Sequence, residues 1–331
     1  MDGLTFSLKK DEDKVELEDF YDVVILGGGP AGLTSAIYTA RAKLKTLMVE
    51  KKEIGGEAAA TDVIENYPGF PEGINGHALA DRMVQQAKRF GAAVYNGEVM
   101  NLNLKSSPKT FLIDGQHVSA QSIIIATGTS PKKLNVPGEK ELKGRGVSYC
   151  ATCDAPIYSG KNIAIIGGGN SGLQEGLFIL KFVKSIKLIE FLPQLKAEKI
   201  LQEKFHAHEN TQVLLNHQVL SINGDKKVES ITVKDRASGE QKKIPVEGVF
   251  VYIGLIPNTD LFKGQLKLNE WDYIITDENL QVSIPGVFVA GDVREKGLRQ
   301  VATAIGDGAV AAVSAEHYIE TISKSRITNS K

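Results

Sequence analysis

A chain of 331 residues has the length for two domains at roughly 150 residues each. Its 42% hydrophobic and 24% charged content is ordinary for a globular protein. With 39 basic residues against 40 acidic ones, the net charge of −1 argues against nucleic acid or an anionic membrane as partner.

Residues 1–20 form a charged N-terminal extension with no apolar export signal. The longest apolar runs, Ile163–Ile166 and Val249–Ile256, fall well short of the roughly 20 residues of a membrane span. With only two cysteines, the expected location is cytoplasmic, with no membrane contact.

Tyr21–Leu26 is a short β-branched run, the pattern of a buried parallel strand. It enters Gly27-Gly28-Gly29-Pro30-Ala31-Gly32, then a helical stretch, Leu33–Ala42, and a second strand, Leu44–Val49, ending on Glu50. Strand, G-x-G-x-x-G, helix and an acid about 20 residues on form a dinucleotide-binding pattern. The glycines let backbone N–H groups approach a pyrophosphate at a helix N-terminus, and Glu50 can accept from a ribose hydroxyl.

Gly55-Gly56-Glu57 and Glu65-Asn66-Tyr67-Pro68-Gly69 read as loops. Ala78–Gly91 has the spacing of an amphipathic helix. Ser122–Ala126 is another buried strand, closed by Thr127-Gly128, and Pro131 with Pro137-Gly138 marks a crossing between domains.

Cys150 and Cys153 stand three apart in Tyr-Cys-Ala-Thr-Cys-Asp, and one helical turn would bring both sulfurs to one face. That spacing suits a redox pair, with Asp154 beside it to carry a proton. Two buried thiols or half of a zinc site are the alternatives. Zinc needs about four ligands, and neither a second Cys pair nor a spaced His pair is present, so no metal is expected. His206, His208 and His217 read as surface or packing residues, and Trp271 as structural.

Lys161–Ile166 repeats the strand pattern and enters Gly167-Gly168-Gly169-Asn170-Ser171-Gly172, 140 residues after the first motif. A helix, Leu173–Val183, and a strand, Ile186–Ile189, lead to Glu190. The step from Gly167 to Glu190 is 23 residues, as is the step from Gly27 to Glu50. The chain therefore carries two dinucleotide-binding units of one design, an α/β fold with two Rossmann-like domains. Short strands follow at Gln212–Leu215, Glu229–Lys234 and Gly248–Ile253, then a turn-rich boundary at Gly254–Thr259. Gly286–Ala290 is a strand running into Gly291-Asp292. Arg299 and Gln300 precede a terminal helix, Ala302–Thr321.

With these residues the chain resembles the low-molecular-weight thioredoxin reductases from about Tyr21 to Glu320. The shared motifs are GGGPAG, GGE…ENYPG, ATG, CATCD, GGGNSG, GxxPNT, GVFVAGD and RQVATAIGDG. The resemblance implies an FAD domain, 21–130 with 258–331, interrupted by an inserted NAD(P)H domain, 131–257, that carries the cysteine pair. It implies FAD bound by Gly27, Gly29, Pro30, Ala31, Gly32 and Glu50. Gly56, Asn66, Thr127, Gly128, Gly291, Asp292, Arg299, Gln300 and Val301 would lie around the flavin end. Gly167, Gly169, Asn170, Ser171 and Glu190 would bind the nicotinamide nucleotide. It further implies that Cys153 faces the flavin, Cys150 attacks an external disulfide and Asp154 shuttles the proton. A homodimer is implied, as is rotation of the inserted domain about Thr129–Lys133 and Gly254–Asn258.

Three positions depart from the family pattern. Glu190-Phe191-Leu192 stands where NADPH users carry His-Arg-Arg, and Leu188–Lys204 is similar to the NADH-dependent flavoprotein subunit of alkyl hydroperoxide reductase. A carboxylate accepts from a free 2′-hydroxyl and repels a 2′-phosphate, so NADH is the expected cofactor. Glu57 replaces a common Gln. The peroxide-reductase subunit's N-terminal thioredoxin-like folds have no counterpart in the roughly 20 residues before the first strand, so the redox carrier is expected to be a separate protein. The expected activity is electron transfer from NADH through FAD and the Cys150–Cys153 pair to thioredoxin or a glutaredoxin-like protein. The other readings are the reductase of a peroxiredoxin system, an FAD thiol oxidase and a redox sensor.

Overall fold

A computed structural model describes residues 15–61 and 63–329; residues 1–14 of the charged extension lie outside the described residues. Two compact units form from interleaved segments. The first takes the chain up to Ile54, Arg82–Thr127 and Thr259 onward; the second takes Gly55–Asp81 and Gly128–Asn258.

In chain order the elements begin β1 (Phe20–Leu26), α1 (Pro30–Arg41), β2 (Thr46–Glu50), α2 (Gly56–Ala59), α3 (Gly76–Arg89), β3 (Ala93–Asn96), β4 (Val99–Asn103), β5 (Lys109–Ile113) and β6 (Gln116–Ile125). They continue with β7 (Thr129–Pro131), β8 (Val147–Ser148), α4 (Ala151–Asp154), β9 (Asn162–Ile166), α5 (Asn170–Ile179), β10 (Ser185–Ile189), α6 (Lys199–His206) and β11 (Thr211–Leu214). The rest are β12 (His217–Asn223), β13 (Ser230–Asp235), β14 (Gln241–Pro245), β15 (Gly248–Val251), β16 (Leu255–Pro257), β17 (Val287–Val289) and α7 (Val301–Asn329).

The first unit is built on a seven-stranded sheet ordered β3-β2-β1-β6-β5-β4, with β17 paired to β6 as the seventh strand. The strands β3, β2, β1 and β6 run parallel. The long β6 pairs antiparallel with β5 through residues 116–120 and parallel with β17 through residues 123–125. Val23, Val24 and Ile25 are fully buried, as a strand covered on both faces requires. The helix α1 packs on α7, where the Ser35 hydroxyl donates to the Gly308 carbonyl at 3.0 Å.

The second unit has an all-parallel sheet ordered β11-β10-β9-β15-β8. Its period-2 pattern sorts side chains to two cores. Ala164, Ile166, Val249 and Val251 meet the antiparallel meander β12-β13-β14 through Val219, Ile231 and Val233. Ile163, Ile165 and Phe250 meet Leu173, Ile179 and Phe205 of the helical face. The two expected hinge segments pair with each other: β7 and β16 form an antiparallel ribbon, and the Ser130 hydroxyl donates to Asn258 Oδ1 at 2.7 Å.

Several elements differ from the sequence expectation. Both helices after the glycine motifs start inside the motif, at Pro30 and Asn170, because proline suits the first helical position and a glycine N-cap needs no side chain. The strands β3–β5, β12 and β14 mix charged and polar residues with apolar ones, so their apolar runs are short. The helix α7 runs on past Thr321 through a polar stretch. Among the described residues no helix is long and apolar enough to cross a membrane.

Candidate active site

Each glycine turn is shaped by the strand beside it. Gly27 sits at φ +113, and a Cβ there would meet the Ala126 carbonyl at the end of β6; Gly167, also at φ +113, would meet the Tyr252 carbonyl after β15. Only glycine fits a backbone of that sign against a neighbouring carbonyl. Gly29 and Gly169 are the N-caps of α1 and α5, have no side-chain cap bond, and face open space. Uncapped N–H groups beside open space suit an anionic diphosphate.

The acids repeat as well. Glu50 Oε2 accepts from Gly28 N–H at 2.7 Å and Oε1 from Lys52 N–H at 2.7 Å. Glu190 Oε2 accepts from Gly168 N–H and Oε1 from Leu192 N–H at 2.8 Å, and its side chain is buried. Each carboxylate thus braces its glycine turn and retains lone pairs for a further donor. Beyond Glu190, the chain folds over the turn: Lys196 N–H and Ala197 N–H both donate to Gly168 O. The Arg236 guanidinium lies 3.7 Å from the Phe191 ring centroid and donates to Phe191 O at 2.9 Å. Asn170 and Glu198 exchange two hydrogen bonds, of 2.8 and 3.0 Å, and Ser171 is exposed.

In the first unit, Gly291 brings the end of β17 against α1. A Cβ on it would lie 2.9 Å from Ala31 Cβ, so Asp292 stands beside the first glycine turn. Asp292 Oδ1 and Arg299 Nε are buried without a hydrogen-bond partner, and burial holds the Asp292 carboxyl above its ordinary range against the pull of Lys296 and Arg299. Orphaned polar atoms of both kinds at a strand's carboxyl end fit a polar ligand at this point. Arg299 also lies 4.0 Å over the Tyr273 ring. Thr127 ends this unit's middle segment; Gln300 and Val301 lead into α7. Gly56 at the start of α2, the exposed Asn66, and Gly128 at φ +61 belong to the second unit.

Sequence reasoning passed over the group that holds this corner. Asp307 on α7 accepts from Gly291 N–H at 3.0 Å and binds Arg294 through both oxygens, at 2.9 and 3.0 Å, and Lys296 at 2.8 Å. Burial alone would raise its carboxyl, but Arg294 and Lys296 hold it below the ordinary value. Asp307→Asn leaves two cations facing a neutral amide and is expected to cost about 3 kcal/mol in chemical denaturation at pH 7. Because the folded value lies below the unfolded 3.8, this stability is present above that pH and is lost as pH falls through the folded value. The gap between wild type and variant should therefore begin to narrow near about pH 4 and close only below the folded value.

The two cysteines lie on one turn, bonded to each other as a disulfide. Cys150 is the N-cap of α4, half-buried, and its Sγ accepts from Cys153 N–H at 3.3 Å; Cys153 is exposed. The Ser148 hydroxyl bridges the Cys150 N–H and carbonyl, both at 3.1 Å. Next to it, the Tyr149 hydroxyl donates to Glu139 Oε1 at 2.6 Å, and buried Glu139 also accepts from Leu134 and Asn135 N–H. Asp154 N–H donates to Cys150 O at 3.3 Å. Tyr252, whose hydroxyl no well-formed bond satisfies, is pushed up by burial and then by Glu175, with Asp154 and Glu57 adding to it.

The chain is similar to known proteins over most of its length. The family described as pyridine nucleotide-disulphide oxidoreductase matches residues 21–308. Thioredoxin reductase of Bacillus subtilis (strain 168) is 42% identical over 306 residues, covering 92% of this chain and 96% of that protein. That of Peptoclostridium acidaminophilum is 40% identical over 310 residues, covering 92% and 98%. The crystal structure of Lactococcus lactis thioredoxin reductase superposes with a TM-score of 0.89 at 38% identity, covering 91% of this chain and 99% of that one. The chain belongs to the pyridine nucleotide-disulphide oxidoreductase family, in its thioredoxin reductase branch.

Proposed function

We propose that this protein is a flavoprotein disulfide reductase that takes electrons from NADH in preference to NADPH. It passes them through FAD and the Cys150–Cys153 pair to thioredoxin or a glutaredoxin-like protein, and it works as a cytoplasmic homodimer. The observation that carries the reading is a disulfide on one turn of the unit holding the second glycine turn, in a chain whose other glycine turn is built the same way.

When bound, the nicotinamide supplies a hydride and the flavin relays its two electrons to a disulfide. In this reading residues 21–130 and 258–331 are the FAD domain and 131–257 the nicotinamide domain, with Gly55–Asp81, Ala60 included, packed in the compact unit that holds the cysteine pair. Gly27, Gly29, Ala31, Gly32 and Glu50 hold the FAD diphosphate and ribose. Asp292 and Arg299, with their orphaned atoms, hold polar groups nearer the flavin. Gly167, Gly169, Asn170, Ser171 and Glu190 hold the nicotinamide nucleotide. Cys150 attacks the external disulfide, Cys153 resolves the mixed disulfide, and Asp154 holds the proton that the departing sulfur takes up.

The test is steady-state reduction of an aromatic disulfide with NADH, with and without added thioredoxin, followed together with oxygen uptake. Thioredoxin-dependent turnover without matching oxygen uptake is the expected result. Oxygen consumption that ignores thioredoxin would favour the thiol oxidase instead.

A further inference from the structure

Thr152, between the two cysteines, has a hydroxyl within reach of two acceptors. It donates to the Ala60 carbonyl at 2.6 Å, and its oxygen lies 3.4 Å from Cys150 Sγ. A hydroxyl has one proton to give. While the disulfide is closed, that proton belongs to Ala60, the nearer and stronger acceptor. Ser148 pins the Cys150 backbone on both sides independently of the S–S bond. A freed Cys150 sulfur therefore stays beside Thr152.

The acids and phenols around this turn, Glu139 with Tyr149 among them, oppose a thiolate, while Lys143, 5.9 Å from the Tyr149 ring centroid, acts the other way. Asp154 on the turn, Glu175 on α5 and Glu57 on α2 all act on Tyr252, which follows β15. Tyr158, after the turn, faces Asp154. Carboxylates and phenols favour the neutral thiol. A nucleophilic cysteine needs the anion, so hydrogen-bond donors have to offset those acids. Cys153 N–H and the Thr152 hydroxyl are the donors in place.

We propose that Thr152 is a redox-responsive hydrogen-bond switch: on reduction its hydroxyl turns from the Ala60 carbonyl to the Cys150 thiolate, holding that sulfur as the nucleophile. The step rests on the reading that the pair cycles. In net balance the hydride of the reduced nicotinamide supplies both the two electrons that break the S–S bond and the one proton that leaves one thiol and one thiolate. The Thr152 proton stays on its own oxygen and only changes acceptor. Cys150 thus becomes reactive in the same event that frees the Ala60 carbonyl.

The experiment uses holoprotein reduced anaerobically with a chemical dithiol, alkylated with iodoacetamide across pH, and the label located by tandem mass spectrometry. Thr152→Val should move the Cys150 alkylation midpoint up by about one pH unit, roughly tenfold slower labelling below it. Thr152→Ser should restore the wild-type midpoint, and Thr152→Ala carries the Val prediction if Val does not fold. An unshifted midpoint in Val and Ala, or a Ser variant that behaves like them, overturns the switch. NADH-driven thiol release is measured on the same proteins. Two thiols released with an unshifted midpoint sinks the switch alone, whereas no release with a shifted midpoint sinks the reductase reading alone.

Discussion

Cys150→Ser and Cys153→Ser are each expected to lower disulfide-reductase kcat at least about a thousandfold, because neither leaves a pair that can close and reopen. The two should not look alike. In Cys153→Ser the nucleophile survives, with Ser148 still pinning its backbone and Thr152 beside its sulfur. A protein disulfide should therefore trap this variant as a stable mixed disulfide, since no resolving thiol follows. Cys150→Ser should trap none. The check is a gel-shift assay with an oxidised partner beside the turnover measurement. Residual turnover above about a tenth in either variant would remove the pair from the reaction.

Glu190→Gln is expected to reduce NADH-over-NADPH discrimination in kcat/KM from at least about 100-fold to about onefold. Two unit charges about 4 Å apart at an effective dielectric near 20 interact by roughly 4 kcal/mol, and partial screening of the phosphate brings this to two or three decades. Glutamine is the informative replacement. Glu190 also accepts from Gly168 and Leu192 N–H, so alanine would loosen the glycine turn along with the charge. Glutamine keeps one acceptor oxygen and removes the repulsion. Comparable kcat/KM for the two nucleotides in wild type would mean that Lys187, Lys196 or Arg236 outweighs Glu190. Arg236 is already engaged with Phe191 and Asn216, which argues against it.

The α/β architecture was legible because its signals are local. A strand, a glycine turn and an acid at fixed spacing force one geometry, and the chain repeats it: the Ala126 carbonyl behind Gly27 has its counterpart in the Tyr252 carbonyl behind Gly167. The cysteine pair was readable for the same reason. The meander β12-β13-β14 was only half visible, since one face is solvated and its lysines dilute the alternation. Asp307 was hidden because its partners, Gly291, Arg294 and Lys296, reach it only where the segment after β17 packs on α7. The bond from Thr152 to Ala60 spans 92 residues, and no local pattern marks it.

Electron flow from NADH to the cysteine pair is tested most directly by an anaerobic thiol count on holoprotein given one equivalent of NADH per chain, with an NADPH sample beside it. The expected result is transient bleaching of the flavin band that recovers as two thiols per chain appear, assigned to Cys150 and Cys153, faster with NADH than with NADPH. A flavin that stays oxidised with both nucleotides, or one that bleaches persistently while Cys150–Cys153 remains closed, would contradict it.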